Sequence, residues 1–142
     1  MKMKKISSSQ LRRGLIEGYR SGLECSVGVQ LNSAKVRWEY ESERIPYTPK
    51  NSTYTPDFIL KGKAVKFYVE TKGRFLASDR TKHLLIKEQH PQLDIRFVFT
   101  NPNQKLYKGA KTTYGEWCKK YGFIFSKGSI PESWIRECLP ET

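Results

Sequence analysis

Residues 64–71, followed by Lys72, place Val65, Phe67 and Val69 in alternation with Lys66, Tyr68, Glu70 and Lys72. Such a period of two belongs to an extended strand, with the first set on one face and the second on the other. Residues 54–60, with Tyr54, Phe58 and Ile59, form a second strand-like run, joined to the first by Lys61-Gly62-Lys63. A short polar link containing Gly predicts a hairpin. Downstream, Gly73 and Ser78 precede a helical stretch near 79–89, which His90-Pro91 stops. Residues 95–100 are again strand-like. Strand, helix, strand over this length is a βαβ unit whose strands lie parallel. A hairpin on one side of residues 64–71 and a crossover on the other require a mixed sheet in an α/β fold.

The rest of the chain fits around this unit. Leu23, Val27 and Leu31 recur every fourth residue from Ser21, predicting a helix in spite of Gly28. Val36, Trp38 and Tyr40 alternate with Arg37, Glu39 and Glu41 in a half-buried strand. Residues 44–47 stay extended, because Pro46 and Pro49 rule out a helix. Lys50-Asn51-Ser52 reads as a loop. Thr113 and Glu116 form a capping box before Trp117 and Tyr121, and Gly122 ends that helix. Ser129 and Glu132 repeat the signature before Trp134. The three tryptophans sit at core spacing. Residues 1–18 are a mobile basic arm, and residues 19–142 form one domain with a helical C-terminal tail.

Lys and Arg total 26 against 14 Asp and Glu, a formal net charge of +12. That field attracts polyanions, nucleic acid before an anionic membrane surface. No stretch has the roughly 18 apolar residues of a membrane span, and the basic N-terminus lacks the apolar core of a secretion signal. Cys25, Cys118 and Cys138 are odd in number and lack metal-type spacing, so free thiols in a reducing cytosol are expected.

Within this frame, Asp57 and Glu70 fall on consecutive strands, and Lys72 shares the face of Glu70. Two carboxylates meeting across a hairpin repel unless a cation lies between them. Phosphodiester hydrolysis needs an activated water, charge neutralisation and a stabilised leaving oxygen, which one or two divalent ions supply. Mg²⁺ or Mn²⁺ takes such oxygen ligands, here Asp57, Glu70 and the Thr71 carbonyl. Lys72 is suited to hold the attacking water. P-D followed by E-x-K also arises as a surface Asp beside a solvated strand; placement and basic charge favour catalysis. Glu24 opens a helix, where the dipole alone would explain it. His83 and His90 have no nucleophile partner, and Asp79 reads as a helix cap.

Several longer motifs carry a resemblance. They include Arg20-Ser21-Gly22-Leu23-Glu24, Tyr54-Thr55-Pro56-Asp57-Phe58 and Val69-Glu70-Thr71-Lys72-Gly73. Lys82-His83-Leu84-Leu85-Ile86, Glu88-Gln89-His90-Pro91 and Lys105-Leu106-Tyr107-Lys108-Gly109 extend them. Over roughly residues 19–135 the chain resembles the phage endonuclease I group, the Holliday-junction resolvases of short-tailed phages. The resemblance implies a restriction-endonuclease-like core, with a central mixed sheet flanked by helices, in an intertwined, domain-swapped homodimer. It implies Glu24, Asp57, Glu70 and Lys72 as catalytic residues, Glu24 coming from one subunit and the others from its partner. The implied activity is metal-dependent cleavage of four-way and other branched DNA, in the cytoplasm of an infected bacterium, with no membrane or small-molecule substrate. A sequence-specific nuclease of the same fold and a non-catalytic junction-binding protein are the alternatives. DNA backbone contacts are expected from the arm, Arg20, Arg74, Arg80, Lys82, Lys105, Lys108 and Lys111.

Overall fold

The computed structural model describes residues 21–49 and 52–139. The expected basic arm and Arg20 lie outside these residues, as do Lys50 and Asn51. Ser21 caps the first helix, α1 (Gly22–Ser33), its hydroxyl accepting the Glu24 N–H at 3.1 Å. Then follow β1 (Arg37–Tyr40), β2 (Ile45–Tyr47), β3 (Ser52–Tyr54), β4 (Phe58–Lys61) and β5 (Lys66–Lys72). The chain continues through α2 (Ala77–Gln89), β6 (Ile95–Phe99), α3 (Tyr114–Tyr121), β7 (Ile124–Lys127) and α4 (Glu132–Cys138). Five strands form one mixed sheet in the order β1-β4-β5-β6-β7. The β4–β5 hairpin is antiparallel with Phe58 opposite Val69, and β6 lies parallel to β5 with Phe97 opposite Glu70. Both pairings follow the sequence pattern.

The sheet is covered on both faces. Trp38, Phe58, Leu60, Phe67 and Val69 pack with Leu31 of α1 and Trp134 of α4. On the opposite face Ile59, Tyr68, Phe97 and Phe99 pack with Ile86 of α2 and Trp117 of α3. Tyr68 and Glu70 are therefore buried along with Phe67 and Val69, so the face of β5 that carries the polar residues is an interior one. That is the ordinary state of a strand beside a parallel neighbour, where crossover helices cover the sheet. All three tryptophans are core residues, and the three cysteines are free and buried. Burial pushes the Cys118 thiol up to about 12 and, as the largest influence, raises Cys138 to about 11, so neither is a nucleophile. Among the described residues no helix is long and apolar enough to cross a membrane.

The structure corrects three expectations. Residues 54–60 are not one strand: Tyr54 ends β3, which pairs with β2 in a separate two-stranded sheet. Pro56 has no N–H to donate, and β4 begins only after Asp57. The C-terminal tail is not wholly helical: it contributes β7, an edge strand with no clean alternation, before α4. The second capping box does not form: Pro131 precedes α4, and the Ser129 carbonyl instead accepts the Ser126 hydroxyl. The hairpin expected at Gly62 forms, its N–H donating to the Val65 carbonyl at 2.8 Å, and Gly62 also permits close packing, since a Cβ there would lie 2.8 Å from the Cα of Cys138.

Arg96 of β6 joins the sheet to α4. It is 5% exposed, donates to Asp94 and Glu137, and lies 3.8 Å above the Phe67 ring. Removing one partner of a buried ion pair costs about 3–5 kcal/mol. The two carboxylates are 42% and 39% exposed, which moves the estimate down. Arg96→Ala is expected to lose about 3 kcal/mol of unfolding free energy in urea, where an unchanged midpoint would contradict this role.

Candidate active site

Asp57 lies one step beyond the Phe58–Val69 pair, where β4 begins and β5 approaches its end. Its Oδ2 accepts the Thr71 N–H at 2.9 Å and the Thr71 hydroxyl at 2.8 Å. Its carbonyl accepts the Glu41 N–H at 3.0 Å, continuing the β1–β4 ladder past Tyr40. Glu41 adopts a left-handed conformation, φ 49°, which turns the chain out of β1 at this point. Glu24 arrives from the first turn of α1, buried, with Oε2 accepting the Tyr40 hydroxyl at 2.7 Å. One carboxylate oxygen from each of Glu24, Glu41 and Asp57 lies within 4.8 Å of the other two. Glu24 and Asp57 thus meet within a single chain.

Glu70 stands on the α2 side of the sheet, 5% exposed, and its Oε2 has no hydrogen-bond partner. The Tyr54 hydroxyl faces it but is also without a hydrogen bond of ordinary geometry. His83 Nε2 is 3.9 Å away, too far for one. Burial first, then the neighbouring Asp57 charge, push the Glu70 carboxyl well above its usual range, with Lys72 opposing. Burial, then the charges of Lys72 and Lys82, lower His83 to about 3, so its imidazole is neutral at physiological pH. Glu39, equally buried, behaves differently. Burial pushes it up, but hydrogen bonds from Lys61 and Ser42 more than offset this and hold it low. Glu70 has no such hydrogen bond, and its environment calls for a cation.

Lys72 ends β5 with its Nζ 3.2 Å from Asp79 Oδ1. The other Asp79 oxygen accepts the Leu76 N–H at 2.9 Å, so this carboxylate caps α2 and steadies Lys72 together. Glu41, Thr53, Thr55, Glu70, Lys72 and Lys82 line an open pocket of ≈ 370 Å³. Asp57, Glu70 and Lys72 therefore lie together, Thr71 meets Asp57 through its N–H and hydroxyl, not through the expected carbonyl, and Glu24 meets Asp57. Of the expected DNA contacts, Lys82 reaches the pocket, while Arg74, Lys105 and Lys108 gather around a second one. Arg80 is tied to the Phe75 carbonyl at 2.7 Å, and Lys111 is exposed.

Glu41 and His83 were not legible as site residues. Glu41 read as the polar partner in a strand alternation; only the β1–β4 register brings it to Asp57. His83 read as a helix-face residue, yet it is 1% exposed between Tyr54 and Phe97. Burial of a histidine beside an acidic strand residue becomes visible only once α2 is docked.

The residues fit a hard divalent cation. Three carboxylate oxygens converge at Glu24, Glu41 and Asp57, and Glu70, one of whose oxygens is buried without a partner, neighbours Asp57. An α/β sheet presenting buried carboxylates and a lysine at one sheet end defines a hydrolase-type site. The profile of the phage endonuclease I family matches residues 3–142. Endonuclease I of Escherichia phage T7 is 50% identical over 124 residues, 86% of this chain and 81% of that protein. Endodeoxyribonuclease 1 of Enterobacteria phage T3 is 50% identical over 121 residues, 84% of this chain and 78% of that protein. The chain belongs to the phage endonuclease I family and is an endonuclease.

The raised Glu70 value has a testable sign. A carboxyl that holds its proton more tightly when folded contributes stability below the ordinary carboxylate range. That contribution is lost as pH rises through the folded value. Glu70→Gln, which cannot ionise, should therefore gain in melting temperature over the metal-free wild type as pH rises from the ordinary carboxylate range through the raised folded value. The gap should close towards about pH 4. Added Mg²⁺ should raise the wild-type Tm and leave the variant unmoved. A difference between the metal-free proteins that does not grow with pH in thermal melts would contradict the assignment.

Proposed function

We propose that this endonuclease cleaves DNA with a divalent cation and selects branched structures, resolving four-way junctions by paired nicks. The observation that carries the reading is the Glu70 carboxylate, one buried oxygen of it without a partner, beside Asp57 in the wall of a pocket that Lys72 and Lys82 share. Asp57, Glu70, Glu24 and the Thr71 carbonyl would hold one or two Mg²⁺ or Mn²⁺ ions. Such an ion, when bound, would supply Lewis acidity toward the phosphate and a lowered pKa for water. Lys72, steadied by Asp79, orients the water that attacks phosphorus and favours its deprotonated form as the P–O bond to the leaving oxygen breaks. Tyr40 fixes Glu24, and Thr71 fixes Asp57, so the acidic groups need little reorganisation.

The net charge of +12 supports a polyanionic substrate. The basic arm, Arg20, Arg74, Arg80, Lys82, Lys105, Lys108 and Lys111 are the backbone contacts in this reading, and the infected bacterial cytoplasm is the setting. We also propose a restriction-endonuclease-like core and an exchanged homodimer. The hinge would be the 41–56 connection, whose β2–β3 hairpin stands apart from the main sheet. If it opens, the β1–β4 pairing and the Glu24 contacts re-form with a partner's equivalent residues.

A four-way junction and a linear duplex, each incubated with Mg²⁺ or with EDTA, test the reading. Paired nicks on the junction alone, lost in EDTA, are expected. Cutting of duplex at one sequence, or binding without cleavage, would replace it. Lys72→Ala should slow cleavage by about 10²–10⁴-fold while junction binding persists. Mixing Glu24→Gln and Glu70→Gln chains should restore cleavage, because one site of an exchanged heterodimer is intact; an inactive mixture would favour the closed chain.

A further inference from the structure

Beyond the acidic pocket, a second open pocket of ≈ 420 Å³ lies between the turn after β5 and the 104–108 loop. Phe75 and Tyr114, both buried, form its floor. Its cationic lining is Arg74, Lys105 and Lys108, and among the described residues no carboxylate lines it. Its apolar members are unusual: Tyr107 is 66% exposed and Leu76 49%, the two most exposed large hydrophobic residues among those described.

Tyr107 is not on a loose tip. Its carbonyl accepts the Ala110 N–H at 3.0 Å, closing a turn that Gly109 completes at φ 89°. The strands of the loop are pinned by the Leu106 N–H to the Thr112 carbonyl at 3.0 Å and by the Lys105–Thr113 bridge. Lys105 Nζ also donates to the Lys111 carbonyl at 3.0 Å. A braced turn therefore presents an aromatic ring to water, flanked by cations, with no packing role of its own. Arg74 stands two residues past Lys72, at most about 7 Å of extended chain, so one wall of the pocket lies near the lysine that would orient the attacking water.

We propose that this pocket is a subsite for one unpaired nucleotide of the strand under attack. Its base stacks on the Tyr107 ring against Leu76, and Arg74, Lys105 and Lys108 hold the phosphates beside it. The proposal rests on the DNA-cleaving reading above. Aromatic stacking is tolerant of base identity, because every base offers a π-face. Such a subsite would select a strand that can leave its helix, which a branch point provides, and would exclude a continuous stacked duplex. The cations favour a polyanion over an apolar protein partner.

The test uses the full chain and four-way junctions that carry 2-aminopurine at successive positions flanking the cut. Wild type, Tyr107→Ala, Tyr107→Phe and Lys108→Ala are compared for fluorescence, KM and kcat. One position is expected to give a protein-dependent signal that Tyr107→Ala loses and Tyr107→Phe keeps. KM for Tyr107→Ala should rise about tenfold with kcat little changed, and Lys108→Ala should raise KM without abolishing the stacking signal. No Tyr107-dependent signal at any position, or an unchanged KM, overturns the subsite. Self-association lost in Tyr107→Ala with unaltered DNA affinity overturns it in favour of a second copy of the chain. A wild type that cuts no DNA sinks this proposal together with the reading beneath it. Normal cutting with an indifferent Tyr107→Ala sinks the subsite alone.

Discussion

Two hydrogen bonds from Thr71, one from its N–H and one from its hydroxyl, hold the Asp57 carboxylate at the end of the sheet. Thr71 follows Glu70 on the same strand, so fixing Asp57 there also fixes it beside a second carboxylate. Asp57 cannot swing away without breaking both bonds, and Glu70 cannot leave without unpairing a central strand from β4 and β6. The ladder between β1 and β4 then brings Glu41 to the same point, and α1 brings Glu24. The chain thus spends folding energy to crowd like charges in a water-poor place. Such crowding is stable only when a cation or a proton compensates it.

Much of this arrangement is written in local patterns. The period-two run through Glu70 and Lys72, the short Gly-containing link and the helix before residue 95 specify hairpin, crossover and strand directions. From those, the convergence of Asp57, Glu70 and Lys72 follows. The capping box at Thr113 and Glu116 and the left-handed Gly122 are equally local, and both form. What could not be read depends on contacts distant in sequence. Pro56 ends a run that looks continuous, and Tyr54 finds its partner in Ile45. Glu41 becomes a site residue only through β1–β4 register. The interior position of Glu70 depends on α2 and α3 closing over the second face, which an alternating strand pattern does not announce.

The supporting groups around the acidic cluster divide into two kinds. Tyr40, Thr71 and Asp79 make direct bonds that fix Glu24, Asp57 and Lys72 in turn. Tyr54 and His83 surround Glu70 with aromatic and neutral groups instead, leaving one oxygen without a partner. The first kind preorganises ligands, and the second leaves the buried Glu70 Oε2 without a hydrogen bond. Together they reserve one strong acceptor for something that the protein itself does not provide. The net positive charge matches this interior in the proposed reading: cations would gather a polyanion, while the buried carboxylates would hold a metal beside it.

Anomalous diffraction from crystals soaked in Mn²⁺ tests the central claim most directly. The account predicts a peak within the Asp57–Glu70 cluster, within coordination distance of the Glu70 oxygen that now lacks a partner, and its loss in Glu70→Gln crystals. A fully occupied Mn²⁺ elsewhere, with that cluster empty in crystals that still cleave DNA, would contradict it.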